Sequence, residues 1–343
     1  MSGPLGSHVL GRKTASCCVA VLAMGLLACE GGTLDAGSDT PHGLLPVDER
    51  NPFLVMNDGY SDNWQGEYAL LLGNSGSVLA GIIVKDSGPW PSIDYNLAGW
   101  RAMVEAAKAG GMGNVPDPIP SVGAVLVQPA DGEIDSTQPN GSDGAHLIID
   151  ASRRLSLPYR PLVIASATRM TDIADAYLLD HTVTDRVVVV ASLGTVMEDG
   201  GGAVMGAPNG EMDPWADAIV VRKFRYVQVS TYYNQTADVP ASSISNLPTN
   251  AFGAWIASKQ SKIWGDNLAA DQVSVLAAAV PTFVVGVDRI DVGDLPDASA
   301  GQGPLLRADP NGGNWLVTQA TSSLAATRFW QMLLDPSTFS AYP

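Results

Sequence analysis

The chain has 343 residues, with 19 Lys and Arg against 35 Asp and Glu, for a formal net charge of −16. That balance excludes nucleic-acid binding, which needs a cationic face for phosphates, and electrostatic docking to anionic lipid. Hydrophobic residues at 46% and charged residues at 16% allow a sizeable buried core and argue against global disorder.

All three cysteines, Cys17, Cys18 and Cys29, lie in the first 29 residues. The rest of the chain has no thiol for a disulfide, a zinc knuckle or a nucleophile. Arg12 and Lys13 form a basic region, and residues 15–28 an apolar stretch shorter than the roughly 20 residues of a spanning helix. The stretch ends in Leu26-Leu27-Ala28-Cys29, which resembles a bacterial lipobox. The resemblance implies that Cys29 receives a lipid and becomes the mature N-terminus, placing the protein in the bacterial cell envelope, periplasmic or at the cell surface. Cys29 as an ordinary cysteine after a plain secretory signal is the alternative. The expected division is 1–28 signal peptide, 29–50 flexible tether and 51–343 one folded domain. Removing the signal takes away Arg12 and Lys13 and no acid, so contact with the membrane is expected only through the lipid.

The tether is rich in Gly, Asp, Thr and Pro and lacks periodicity, as flexible linkers do. From Asn51 onward short β-rich runs alternate with helical ones. Strands are predicted at 53–56, 78–84, 124–127, 161–165, 186–191 and 226–230. Helices are predicted at 65–72, 95–109, 144–155, 170–179 and 213–222. In the 95–109 helix, Leu97, Trp100, Met103, Val104 and Ala107 share one side. Four consecutive valines, Val187 to Val190, mark a strand buried on both faces. The alternation predicts a single α/β domain, with a mostly parallel central sheet covered by helices on both faces. Such sheets bind ligands beyond the carboxyl ends of their strands, so the polar residues there are the candidates.

After the first strand, Asp58 and Asp62 stand four apart with Gly59 between them. Oxygen donors so placed can hold a hard cation, or can cap the next helix. After the second strand, Asp86 can join them, and Trp90 can cover a planar ligand or simply pack. The run Ser166-Ala167-Thr168-Arg169-Met170-Thr171 leads from a strand into a helix, with a backbone carbonyl able to face the cleft and Thr171 able to cap. Asp213-Pro214 starts a helix, with Asp as cap and Pro as first residue. Asn209 and Glu211, just upstream, are available to a ligand. Asp271 heads an apolar run, as a cap or as a further ligand.

Together these pieces resemble the nucleoside hydrolase family of the inosine–uridine type. PFLVMNDGYSDNWQGEYALLL is similar to its opening strand, acidic cluster and helix, and GSVLAGIIV to its second strand. PLVIASATRMTDIADAYLLD, DRVVVVASLG, NGEMDPWADAIV, ADQVSVLAAAVP and NWLVTQATSSLAATRFWQMLLD follow its later motifs in order. The resemblance implies a calcium ion (Ca2+) at the bottom of the cleft, bound by Asp58, Asp62, the carbonyl of Ala167 and Asp271. It implies Asp58 or Asp62 as catalytic base, and Asn209 and Asp86 as substrate contacts; by position, Glu211 and Trp90 join them as candidate substrate contacts. The substrate is a small molecule, a nucleoside or related ribosyl compound, and hydrolysis passes through an oxocarbenium-like state that carboxylates stabilise.

This chain departs from the pattern in three places. Asn63-Trp64 or Trp64-Gln65 stands where the family has adjacent aspartates. Ala270 stands where it has the histidine that serves as leaving-group acid, and Ala207 where it has a glutamate. A second reading therefore stands beside the enzyme: a surface lipoprotein that keeps the fold, has lost catalysis, and binds a sugar, a nucleoside or a protein. Monomer and homo-oligomer both stay open.

Overall fold

In a computed structural model of the chain, the described residues are 43–48, 50–58, 78–86, 92–112, 115–191, 196–199, 202–205, 209, 212–229, 254, 284–293, 298 and 303–320. Seven strands run parallel: β1 (Phe53–Asn57), β2 (Leu79–Val84), β3 (Pro118–Pro120), β4 (Leu162–Ser166), β5 (Val187–Ala191), β8 (Arg225–Val229) and β11 (Asn314–Ala320). Four more, β6 (Val196–Asp199), β7 (Gly202–Met205), β9 (Val284–Val292) and β10 (Leu305–Ala308), add antiparallel pairs at one side. They form one sheet in the order β3-β2-β1-β4-β5-β8-β11-β9-β10-β7-β6.

The apolar runs explain the parallel half. Every residue of β1, β4 and β5 is buried, so both faces of those strands are covered. Leu54, Met56, Leu162, Ile164, Val187 and Val189 share one core cluster with helices α2 (Asp143–Leu155), α3 (Thr171–Leu179) and α4 (Pro214–Lys223). Their alternate neighbours Phe53, Val55, Val163, Ala165, Val188 and Val190 are equally buried but lie outside that cluster. With a side-chain period of two, these point to the opposite face. There α1 (Ile93–Ala109) packs on β2 and β3, burying Leu97, Trp100, Met103, Val104 and Ala107 as its periodicity predicts. Right-handed crossovers produce this arrangement, because connections moving in opposite directions along the sheet cross on opposite faces.

The helix starts follow local chemistry. Ser92 and Ser142 cap α1 and α2 through their hydroxyls. Asp213 caps α4, accepting from the Ala216 N–H at 3.1 Å, with Pro214 first in the helix. Thr171 does not cap α3. Met170 holds that position without a side-chain bond, and the Thr171 hydroxyl donates to Asp213 at 2.6 Å.

Residues 124–127 do not form the expected strand. They are loop, Val125 and Val127 are exposed, and the Leu126 N–H donates to Asp213 at 3.1 Å. The edge beside β2 is taken instead by β3, a Pro-Ile-Pro segment of the kind that only an edge tolerates. The expected helix at 65–72 lies outside the described residues. Leu45, Val47 and Asp48, read as the end of the tether, are buried, and the compact unit that holds the sheet runs from Thr40 to Pro343. Among the described residues no helix is long and apolar enough to cross a membrane.

Candidate functional site

The strand order reverses between β1 and β4. From β1 the chain moves outward to β2 and β3, and from β4 it moves the other way to β5 and β8. Chains diverging on either side leave a crevice above the carboxyl ends, the usual ligand position in such sheets. Asn57 pairs with Val84, and Met56 with Ser166. The residues that follow, Asp58, Lys85 and Ala167, therefore rise to similar heights at this crevice.

Two of the expected residues are brought into contact. The side-chain amide of Asn209 donates to the main-chain carbonyl of Ala167 at 3.0 Å. The Ala167 N–H in turn donates to the Met56 carbonyl at 3.2 Å, tying β4's end to β1. Asn209, Ala167 and Asp58 are all buried. Asp86 is not an isolated carboxylate, because it forms an ion pair with Arg169. The Arg169 guanidinium also donates to the Gly123 carbonyl at 3.2 Å. Its side chain is 9% exposed against 32% for Asp86, so the acid sits at the lip and the base below it. The Thr168 hydroxyl, between Ala167 and Arg169 in the chain, is buried with no hydrogen-bond partner among the described residues.

Beneath Asp86 lies a second ion pair. Lys85 Nζ meets Asp172 at 2.9 Å, with both side chains fully buried. The Lys85 N–H donates to the Asn57 carbonyl at 2.8 Å, and its carbonyl accepts from Asn96 at 3.0 Å. Asp172 accepts from Ser121 Oγ at 2.9 Å, and that oxygen accepts from the Gly144 N–H at 3.0 Å. One turn on, Asp175 accepts from the N–H groups of Asn140, Gly141 and Ser142 at 2.7, 3.2 and 2.7 Å. Helix α3 thus uses two buried acids to fix the ends of β2 and the start of α2.

Burial pushes the Asp213 carboxyl up, against the bonds from Thr171, Ala216 and Leu126 that hold it down. Asp217, one turn on in α4, is buried with neither oxygen bonded among the described residues, and burial, then the Asp213 charge, push its pKa well up.

Lys85, Arg169 and Asp172 were not singled out in the sequence. The available signal was a charge inside each of two apolar runs, Lys85 closing LAGIIVK and Asp172 within TDIADAYLL, with opposite signs. Asp62, Trp90, Glu211, Asp271 and Cys29 lie outside the described residues. Asp58 and the Ala167 carbonyl are hard oxygen donors of the kind calcium takes, but calcium needs six to eight of them. Asp86 and Asp172 are engaged by Arg169 and Lys85. Among the described residues no group of three or more His, Cys, Asp or Glu side chains forms a metal cluster. The donors among the described residues fit the ion in chemistry and fall short of its full number.

No protein-family model matches the chain, and no curated protein matches it in sequence. Solved structures do resemble it. The inosine–uridine preferring nucleoside hydrolase of Bacillus anthracis superposes with a TM-score of 0.58 at 13% identity, over 82% of this chain and 99% of that one. The purine-preferring ribonucleoside hydrolase of Gardnerella vaginalis gives 0.58 at 15% identity, over 84% and 99%. An inosine–guanosine nucleoside hydrolase gives 0.59 at 14%, over 82% and 98%. The fold is therefore the nucleoside hydrolase-like α/β fold, in a single domain.

Proposed function

We propose that this protein hydrolyses the N-glycosidic bond of a nucleoside or related ribosyl compound in a calcium-dependent manner, as an envelope protein held by a lipid on Cys29. One observation carries the reading: Asp58, the Ala167 carbonyl and Asn209 gather at the strand-order reversal of a nucleoside hydrolase-like sheet. Asp58, Asp62, the Ala167 carbonyl and Asp271 would hold the ion. Calcium, when bound, anchors sugar hydroxyls and acidifies a water. Asp58 or Asp62 takes the proton from the attacking water. Asn209, held by its amide nitrogen on Ala167, would lie beside the sugar, and Asp86, Glu211 and Trp90 would complete the substrate contacts.

The non-catalytic reading has its own support. Lys85 and Arg169 place two cations at the ends of β2 and β4, where a cationic transition state favours carboxylates. Calcium titration of the purified protein, with ribose release followed on a panel of nucleosides, separates the two. Calcium binding with ribose release, both lost in Asp58→Ala, supports the enzyme. Nucleoside or sugar binding without release supports the binding protein, and the absence of both sinks the ligand site.

A further inference from the structure

At the other pole of the sheet, below the amino ends of β5, β8 and β11, lies a cavity of about 490 Å³. That is within the range of roughly 300–1,000 Å³ usual for small-molecule sites. Its wall includes Asp185 ahead of β5, Arg222, Lys223 and Arg225 at the turn from α4 into β8, Asp291 near the end of β9, and Asn314 at the start of β11. No other four-residue window of this acidic chain holds three cations.

Two of the three are accounted for locally. Arg222 donates to the Gly293 carbonyl at 2.7 Å, and Lys223 pairs with Asp135 at 3.1 Å. Both stand in the last turn of α4, where positive charge offsets the helix dipole. Arg225 is different. It begins a strand, paired through its backbone opposite Val188, is half-buried, and its side chain makes no hydrogen bond or ion pair with any described residue. Burial pulls its pKa down, and the Asp185 charge, felt without contact, works the other way. A guanidinium carries five N–H donors in a rigid fork matched to carboxylate and phosphate. Half-withdrawn from water and facing no acceptor among the described residues, it gains charge-assisted bonds from a bound oxyanion.

The floor does not compete for that role. Asn314 Oδ1 accepts from the Tyr226 N–H at 3.1 Å, and its Nδ2 donates to the Val221 carbonyl at 2.9 Å. Asp291 Oδ1 already accepts from the Val292 N–H at 2.8 Å, so its other oxygen and the exposed Asp185 carboxylate remain on the wall to accept from hydroxyl groups.

We propose that this cavity is a second ligand site, which binds a small hydroxylated oxyanion with its phosphate or carboxylate on Arg225 and with Arg222 as second cation. It is independent of the crevice, which lies at the opposite ends of the same strands. The probes are ribose 5-phosphate, gluconate and inorganic phosphate, titrated calorimetrically into the full-length protein. Saturable binding of the sugar phosphate or of gluconate is expected, and the stronger of the two identifies the anion. Affinity should fall at least about tenfold in Arg225→Gln, the loss of a charge-assisted pair, and stay unchanged in Asp58→Ala. Absence of saturable binding for all three probes overturns the proposal, as does full affinity in Arg225→Gln. Loss of affinity in Asp58→Ala would place the anion in the crevice instead and equally overturns it. Should Arg225→Gln fail to fold, the exposed Arg222→Gln carries the test: weaker binding supports the site, and unchanged affinity refutes it.

Discussion

Lys85 and Asp172 meet at 2.9 Å with neither side chain touching solvent, and so couple the end of β2 to the first turn of α3 directly under the candidate crevice. Breaking one side of such a pair strands a charge in the interior. Lys85→Met is expected to lower stability by about 3–5 kcal/mol, whereas Lys85→Met combined with Asp172→Leu should lose much less, because the pair's own attraction barely exceeds its desolvation. Urea midpoints of the single and double variants decide this. Equal losses in both would mean that the pair is not what holds the junction.

Gly144 lies where a side chain has no room. A Cβ there would stand 2.6 Å from Asp172 Oδ2 and 2.8 Å from Ser121 Oγ, and neither neighbour can retreat without giving up its partner. Gly144→Ala should lower stability by about 1–3 kcal/mol despite the better helix propensity of alanine. An unchanged melting temperature would show that the Asp172 network yields freely.

Asp217 makes stability depend on pH in a definite direction. Its carboxyl is pushed well above the ordinary 3.8 by burial, then by Asp213. Below 3.8 both folded and unfolded chains keep the proton. Above it the unfolded chain releases its proton and the folded one does not, so stability falls as pH rises until the folded value is passed. Asp217→Ala should be more stable than the parent at pH 7, by about 1–3 kcal/mol for an unsatisfied buried group, with a smaller gain near pH 4. Denaturation at the two pH values measures the difference, and a gain that does not grow with pH refutes the assignment.

Asp180 acts in the opposite sense. Burial opposes its charge, but bonds from Thr182 and Arg186 win and hold its pKa at about 2. Arg153 adds a further contact at 2.9 Å. The stability it contributes is complete above 3.8 and is lost as pH falls through about 2. Asp180→Asn should therefore flatten the acid limb between pH 4 and 2, with parent and variant converging at the acid end. Parallel curves across that range would contradict it.

The centre of the parallel sheet was legible because β1, β2, β4 and β5 are nearly continuous apolar runs. Val187 to Val190 can only sit between two covered faces, and α1 shows its buried stripe as Leu97, Trp100, Met103, Val104 and Ala107. The antiparallel side was not legible as strands. In β9, Val284–Val292, exposed and buried residues mix without strict alternation, and β10 is four residues long. The segment 124–127 misled because β-branched residues mark extended backbone whether or not a partner strand exists. Asp58, Ala167 and Asn209 drew attention because they directly follow strands or precede a helix, and the structure brings Ala167 and Asn209 into contact. Arg169 was passed over because its meaning depends on Asp86, 83 positions away, a relation no local pattern carries.

The wiring of the sheet also bears on how the chain reaches it. The β6–β7 pair is made before β8 in the chain, yet it docks beyond β10, with Val204 opposite Leu305 and Ala203 opposite Leu306, roughly 100 residues later. Until those late residues emerge, β7 offers an open hydrogen-bonding edge to any strand that drifts past. Joining such distant segments is slow, so the seam between β7 and β10 is where partly made or partly refolded copies would stick to one another.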